Sequence, residues 1–394
     1  VSADETWLLP EGIDELLPAQ ARALEQLRRE LLDRYATWGY QLVVTPFIDY
    51  LESLLTGTGR DLALQTFKLT DQVSGRLLGV RADITPQAAR IDAHRLRHEA
   101  PTRLCYLGSV LRTRGDGFGG SRSPLQIGAE LYGHAGVDSD VEIVCLVMET
   151  LRIAGLEEVY LDLGHVGIYR ALAAAAGLDE RQEEALFEAL QRKAGADIDA
   201  LVDDFGVERP LRDMLSALAE LNGGAEVLGE ARRRLANAPA EVAAAIDYVA
   251  AVADCLRRCQ PDLPVHFDLA ELRAYRFHTG IVFAAFVPGE GQEVARGGRY
   301  DQIGEVFGRA RPATGFSADL KTLMRLGSRE LQALSGAVLA PSDPDPDLQA
   351  RVAQLRAAGT VVVRALPDQG GSPTQMGCSH RLHKQAGAWE IVPL

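Results

Sequence analysis

Leu24, Leu27, Leu31 and Tyr35 recur at helical spacing, and Gly39 follows them, so the pattern predicts an amphipathic helix over 18–38. The periodicity then changes. Tyr40 to Val44 reads as a strand stopped at Thr45-Pro46, and further strands are predicted over 66–70, 77–81, 104–112 and 125–133. The last two flank a glycine-rich stretch, Gly115 to Gly120, which is long for a turn and predicts a wide hairpin loop. A helix over 140–153 and a strand over 158–163 follow. Residues 167–259 are rich in Ala, Leu, Glu and Arg with few β-branched runs, which predicts a helical module inserted into a sheet domain. Strand patterns return over 265–269, 280–287, 293–300 and 314–318, so segments on both sides of the insertion complete the sheet. The Pro-Ser-Asp-Pro-Asp-Pro-Asp break at 341–347 interrupts a small βαβ-like tail built from 337–340, 348–358 and 361–363. The expected division is therefore 1–325, with its insertion at about 167–259, and 331–394.

Composition narrows the function classes. The 394 residues exceed one ordinary core, and 47% hydrophobic with 24% charged residues is a globular balance. No stretch approaches about 18 apolar residues, which argues against a membrane span. Val1 to Leu9 has neither a basic start nor an apolar run, so it is not read as a signal peptide. The net charge of −14 weighs against extensive nucleic-acid contact, and the charges of 331–394 cancel, so the tail is no basic arm. Five scattered cysteines make no disulfide framework and suit a reducing, cytoplasmic setting.

Several groups of residues invite chemistry. Gly115–Gly120 lacks a following Gly-Lys-Ser/Thr, so it reads as a loop and not a phosphate cradle. Cys378, His380 and His383 are too few for a metal site; Cys255 and Cys259 share a helix face and read as buried small positions; His94 and His98 read as part of a solvated helix face. Arg112, Arg114 and Arg122 gather near one hairpin, where they serve either an anionic ligand or salt bridges; their spacing does not choose. Asp83, Gln126 and Glu130 are polar positions in otherwise apolar strands. Gln126 and Glu130, four apart, point to the same sheet face, either a pocket floor or a wet surface.

These segments carry a resemblance. Trp38-Gly39-Tyr40 through Thr45-Pro46-Phe47 resembles motif 1, the dimer-interface motif of class II aminoacyl-tRNA synthetases, and 104–133 resembles motif 2. Arg81-Ala82-Asp83-Ile84-Thr85 is similar to the histidyl-tRNA synthetase segment that holds the histidine amino group, with Asp83 where that family has Glu. Residues 272–280 resemble its histidine-specific motif, and Gly297-Gly298-Arg299-Tyr300-Asp301 its glycine-rich strand before motif 3. The resemblance spans roughly residues 8–325. It implies an α+β fold: a six-stranded antiparallel class II sheet flanked by helices, with a helical insertion and a small α/β C-terminal piece. It also implies a homodimeric core.

Departures from the motifs redirect the expected function. Where motif 3 ends in glycine, an acidic residue and an ATP-binding arginine, this chain has Asp319 and Thr322 at the glycine and arginine positions. A carboxylate beside a triphosphate is repulsive, and the cation is gone. Motif 2 has Arg114 in place of Glu and lacks the loop arginines, the histidine motif carries Arg276 and Phe277-His278, and the tail is short for an anticodon-binding domain. The pattern resembles the regulatory subunit family of ATP phosphoribosyltransferase, a synthetase paralogue that assembles with a short-form catalytic subunit in the first step of histidine biosynthesis. That resemblance implies a non-catalytic chain without cofactor or metal, which activates its partner and mediates feedback inhibition by histidine. The competing expectations are a divergent histidyl-tRNA synthetase and a free-standing histidine-binding protein. Carried over position by position, the histidine site comprises Asp83, Thr85, Arg112, Gln126, Glu130, Arg273 and His278.

Overall fold

In the computed structural model, residues 7–55, 60–115, 120–271, 277–328 and 336–394 are described. The chain divides into two compact units, Val1–Asp14 with Leu27–Arg329, and Glu15–Gln26 with Glu330–Leu394. The division falls within the first long helix, Pro18–Thr37, in which Leu27, Leu31 and Tyr35 are fully buried.

The large unit contains strands β1 (Gln41–Val43), β2 (Ile48–Tyr50), β3 (Phe67–Thr70), β4 (Leu77–Val80), β5 (Thr102–Ser109), β6 (Leu125–Tyr132), β7 (Tyr160–His165), β8 (Asn222–Gly223), β9 (Val265–Asp268), β10 (Ile281–Phe286), β11 (Ala295–Arg299) and β12 (Ala313–Asp319). Nine of them form one sheet in the order β1-β5-β6-β12-β11-β10-β7-β9-β8. Its middle six strands, β5 to β7 in that order, are antiparallel throughout. The sheet is wider than the six expected strands: β1 joins β5 and β9 joins β7 in parallel, and β8, from within the helical insertion, pairs with β9. A second sheet, β2-β4-β3, stands beside it.

Side-chain alternation decides what each face does. Ile127, Ala129, Leu131, Phe316 and Ala318 are buried on one face. There the helix Val137–Ala154 packs on β6 and β12, and Tyr35 meets Phe316 edge-on while its hydroxyl bonds Thr150 at 2.8 Å. Burial of apolar surface of this kind is the main favourable term in folding. The insertion supplies the helices from Val166–Ala175 to Ala240–Cys259, and the last of these packs on the helices Val137–Ala154 and Val166–Ala175. The opposite face carries Gln126, Gly128 and Glu130 of β6 beside Tyr106 of β5 and Gly315 of β12, and the candidate site lies there.

The small unit holds β13 (Ala337–Ala340), β14 (Val362–Arg364), β15 (Cys378–Gln385) and β16 (Ala388–Pro393), in the order β14-β13-β15-β16. Helix Pro346–Ala357 connects the parallel pair β13 and β14, and Val338, Ala340, Leu348, Val352, Leu355, Val362 and Leu382 form the core. Asp345 caps that helix and accepts bonds from Lys384 Nζ and Trp389 Nε1.

Three expectations are corrected here. His94 lies in a π-helical turn that ends at Leu96, and Arg97 is left-handed (φ 53), so His98 is beyond the helix and shares no face with His94. Cys259 is exposed and Cys255 half-buried, because the face they share turns toward solvent at the helix end. Asp83 stands in the bend after β4 and not in a strand. The metal reading of Cys378, His380 and His383 stays rejected: on a strand, position 383 points opposite to 378 and 380, and His380 Nδ1 is bonded to Ser379 Oγ at 2.7 Å.

Candidate functional site

Two chains of hydrogen bonds cross this second face of the sheet. In the first, Gln126 Nε2 donates to Asp83 Oδ1 at 2.9 Å, and Gln126 Oε1 accepts from the Ile84 amide at 2.9 Å. The Thr85 amide also donates to Asp83 Oδ1, at 2.8 Å. Pro86, just inside the helix Thr85–Arg90, lacks an amide proton and so costs nothing at a helix start. The bend thus presents Asp83 beside the first strand positions of β6.

In the second chain, Thr85 Oγ1 and Tyr106 Oη are 3.0 Å apart, Tyr106 Oη donates to Glu130 Oε1 at 2.9 Å, and Tyr300 Oη donates to Glu130 Oε2. Gln126, Glu130, Tyr106 and Tyr300 are all at most 3% exposed. Burial is the main cause that pushes the Glu130 carboxyl up to about 8, and nearby Asp83 adds to it, while the bonds from Tyr300 and Tyr106 act against it. Two glycines make room. Gly315 pairs with Glu130 across β6 and β12, and a Cβ there would lie 1.6 Å from Glu130 Oε2. Gly128 pairs with Tyr106, and a Cβ there would lie 2.4 Å from the Tyr106 hydroxyl.

Asp83, Thr85, Gln126 and Glu130 are therefore brought together. Arg112 is close to them: its Nε donates to the Ala82 carbonyl at 3.4 Å, next to Asp83. Arg122 is turned away, with its guanidinium on the Arg112 and Glu11 carbonyls, and Arg114 is exposed. His278 faces β11, with Nδ1 3.3 Å from the Arg299 carbonyl; burial holds its imidazole down at about 4, so it is neutral. No hydrogen bond joins His278 to the Asp83–Glu130 group among the described residues; its neighbour Phe277 stacks on Tyr300 instead. Arg273 lies outside the described residues. The sequence reading missed Tyr106 and Tyr300, which hold the central carboxylate. The available signal was a tyrosine opposite a glycine in the β5–β6 hairpin.

At the end of β12 the chemistry differs. Asp319 pairs in register with Gln126 and caps the helix Leu320–Leu326. Its carboxylate accepts from the Leu125 amide at 2.9 Å, the Lys321 amide at 3.2 Å and Thr322 Oγ1 at 2.8 Å. Lys321, two residues on, gives its ammonium to Asp14 and the Ser123 carbonyl, each at 2.8 Å. The strand end beside Gln126 thus presents a carboxylate engaged by two backbone amides and a hydroxyl.

Comparison with known proteins follows the same division. Residues 12–323 match the model of the histidyl-tRNA synthetase family, and residues 335–392 match that of the ATP phosphoribosyltransferase subunit HisZ C-terminal domain. A protein of Alkalilimnicola ehrlichii called ATP phosphoribosyltransferase regulatory subunit is 59% identical over 100% of this chain and 98% of its own length. One of the same name from Thioalkalivibrio sulfidiphilus is 58% identical over 98% of each chain. Among solved structures, an ATP phosphoribosyltransferase regulatory subunit/histidyl-tRNA synthetase from Bacillus halodurans superposes with a TM-score of 0.82 at 26% identity, covering 94% of this chain and 95% of that one. Histidyl-tRNA synthetase from Nostoc shares the fold, with a TM-score of 0.76 at 17% identity over 98% and 97% of the two chains. The family models matched by residues 12–323 and 335–392, with relatives 58–59% identical over 98–100% of the chain, place this chain in the ATP phosphoribosyltransferase regulatory subunit family, as a non-catalytic member with a class II synthetase-like fold.

Proposed function

We propose that this chain binds free histidine in the Asp83–Thr85–Gln126–Glu130 pocket and passes that occupancy to a short-form ATP phosphoribosyltransferase catalytic subunit, which it activates when histidine is absent. The observation that carries this reading is the contrast within one sheet face. The acceptors suited to an amino acid are assembled and buried, while the adjacent strand end offers Asp319 to a nucleotide. An ammonium group fits Asp83 and the Thr85 hydroxyl, an imidazole N–H fits Glu130, and Gln126 both donates and accepts. Arg112, whose Nε donates to the Ala82 carbonyl, is the candidate for the ligand carboxylate, with Arg273 and His278 as further candidates from the motif resemblance. Histidine inhibits only if it binds the less active state of the assembly more tightly than the active one.

The protein acts in the cytoplasm as a homodimer within a larger hetero-oligomer. Support for the dimer comes from an apolar surface at two sheet edges. β1 ends the large sheet and β2 ends the small one, and Leu42, Val44, Phe47, Ile48 and Tyr50 around them are all at least 36% exposed. Exposed apolar side chains at two sheet edges favour an association surface. Pro46, which lacks an amide proton, joins the two edges.

Calorimetry of histidine binding tests the site. Glu130→Ala leaves the buried imidazole N–H without its acceptor and is expected to cost roughly 1–3 kcal/mol of affinity, with a similar loss for Asp83→Ala. Unchanged histidine affinity in both variants, alone and in complex with the catalytic subunit, overturns the assignment.

A further inference from the structure

Two cysteines far apart in sequence meet behind the sheet. Cys145 of the helix Val137–Ala154 and Cys259, the last residue of the helix Ala240–Cys259, have their sulfurs 3.3 Å apart across 114 residues of chain. Cys145 is buried, whereas Cys259 is exposed. The other cysteines offer no such geometry. Cys105 and Cys378 are buried in strands β5 and β15. Cys255 lies one helical turn before Cys259, where Cβ atoms are about 5–6 Å apart, beyond the roughly 3.5–4.5 Å a disulfide allows. Joining Cys145 to Cys259 instead requires the sulfurs to close by about 1.2 Å to reach the bond length of about 2.05 Å. The helix ends at Cys259, and Gln260 has already left helical geometry (φ −135, ψ 67), so the adjustment falls at the helix end and not within a helical turn.

We propose that Cys145 and Cys259 are a modification site, a reversible disulfide that closes by exchange with a low-molecular-weight disulfide such as oxidised glutathione. The Cys259 thiolate, accessible to solvent, attacks one sulfur of the oxidant. The oxidant's S–S bond breaks, a mixed disulfide forms on Cys259, and one glutathione thiolate leaves and takes up a proton. Cys145 then loses its proton and attacks the Cys259 sulfur, forming the Cys145–Cys259 bond and expelling the second glutathione. Two electrons pass from the two cysteine sulfurs to glutathione disulfide, which ends as two thiols.

The order of events follows from the surroundings. Burial, reinforced by Cys259 itself, pushes the Cys145 thiol up to about 12, so this sulfur stays inert toward bulk oxidant and reacts with the one sulfur presented beside it. The bond ties the last helix of the insertion to the helix behind the sheet. These two helices are also joined by a hydrogen bond from Tyr248 Oη to Asp140 Oδ2 at 2.5 Å. Asp140 in turn pairs with Arg299 at 3.0 Å, so the disulfide fixes the insertion onto an element that anchors β11. Reversible disulfides of this kind are the type found in reducing compartments, where they serve as redox sensors.

The test uses the full chain. The reduced protein is incubated with oxidised glutathione, its remaining thiols are alkylated, and it is digested and mapped without reductant. The expected product is one peptide pair linking Cys145 to Cys259, about 2 Da lighter than the two reduced peptides together. In Cys145→Ser, and separately in Cys145→Ala, glutathione is expected to remain on Cys259 because nothing displaces it. A wild-type map in which Cys259 keeps its glutathione, pairs with Cys255 or stays unmodified overturns the proposal. The wild-type result stands alone, so it does not depend on either variant folding.

Discussion

Replacing Glu130 with glutamine is expected to change how stability depends on pH. Glu130 is 1% exposed, and burial raises its carboxyl from the ordinary 4.5 to about 8. The folded chain therefore holds a proton on Glu130 between those values, whereas the unfolded chain has released it. Stability from this group is fully present below pH 4.5 and declines as pH rises, until the folded carboxyl also ionises near pH 8. At about 1.4 kcal/mol for each pH unit, the loss across that window is on the order of 5 kcal/mol. Glutamine keeps the shape and does not ionise. Its carbonyl can accept from one tyrosine, and its amide can donate to the other if that hydroxyl turns, as Tyr106 can toward Thr85 Oγ1 at 3.0 Å. His165 and His278, both held near 4 by burial, make wild-type stability fall again in acid, but they are common to both proteins and cancel in the difference. Urea unfolding of wild type and Glu130→Gln, followed by far-UV dichroism from pH 5 to pH 8.5, reads the effect. The variant should gain on wild type by several kcal/mol toward the alkaline end. A difference that stays constant across that range refutes the buried, protonated Glu130.

Other perturbations address the remaining parts of the molecule. Gly315→Ala places a methyl group against Glu130 Oε2 and the Ala129 carbonyl, so it should displace the carboxylate and abolish histidine binding by calorimetry while the dichroism spectrum is retained. Arg311, 9% exposed, bonds both Asp92 oxygens at 2.9 and 3.2 Å, so Arg311→Ala strands a buried carboxylate and should cost roughly 3–5 kcal/mol in urea unfolding. The chain should show no histidine-dependent ATP–pyrophosphate exchange, because each missing charge-assisted phosphate contact costs roughly 1.5–3 kcal/mol and Asp319 adds repulsion. Exchange above background contradicts that reading.

The sequence carried much of this fold in local patterns. Alternation in 125–133 placed Gln126 and Glu130 on one face, and β6 puts them there, buried. What it did not carry depends on contacts between distant segments. Tyr106 and Tyr300 reach Glu130 from 24 and 170 residues away, and the glycine opposite Tyr106 marks it only once the β5–β6 register is known. The strands at 40–44 and 265–269 were legible, but their parallel pairing as β1 on β5 and β9 on β7 is equally non-local, and the two-residue β8 is too short for alternation to register. β15 and β16 escaped for another reason. In Cys378–Gln385 only Cys378 and Leu382 are buried, so the strand reads as a polar segment. Asp83 was assigned to a strand because Val80 and Ala82 flank it with apolar character, whereas the chain bends there to aim its carboxylate at Gln126.

The central claim, that the chain regulates a partner through histidine, is tested most directly by the activity of a short-form ATP phosphoribosyltransferase catalytic subunit. It is assayed alone, with this chain, and with this chain carrying Glu130→Ala, each across a histidine titration. The account predicts higher activity when wild-type chain is added, inhibition of that activity by histidine, and a shift of the inhibition curve to roughly ten-fold or more higher histidine with the variant. Activity that is unchanged by the chain, or histidine inhibition that is identical with wild type and variant, contradicts it.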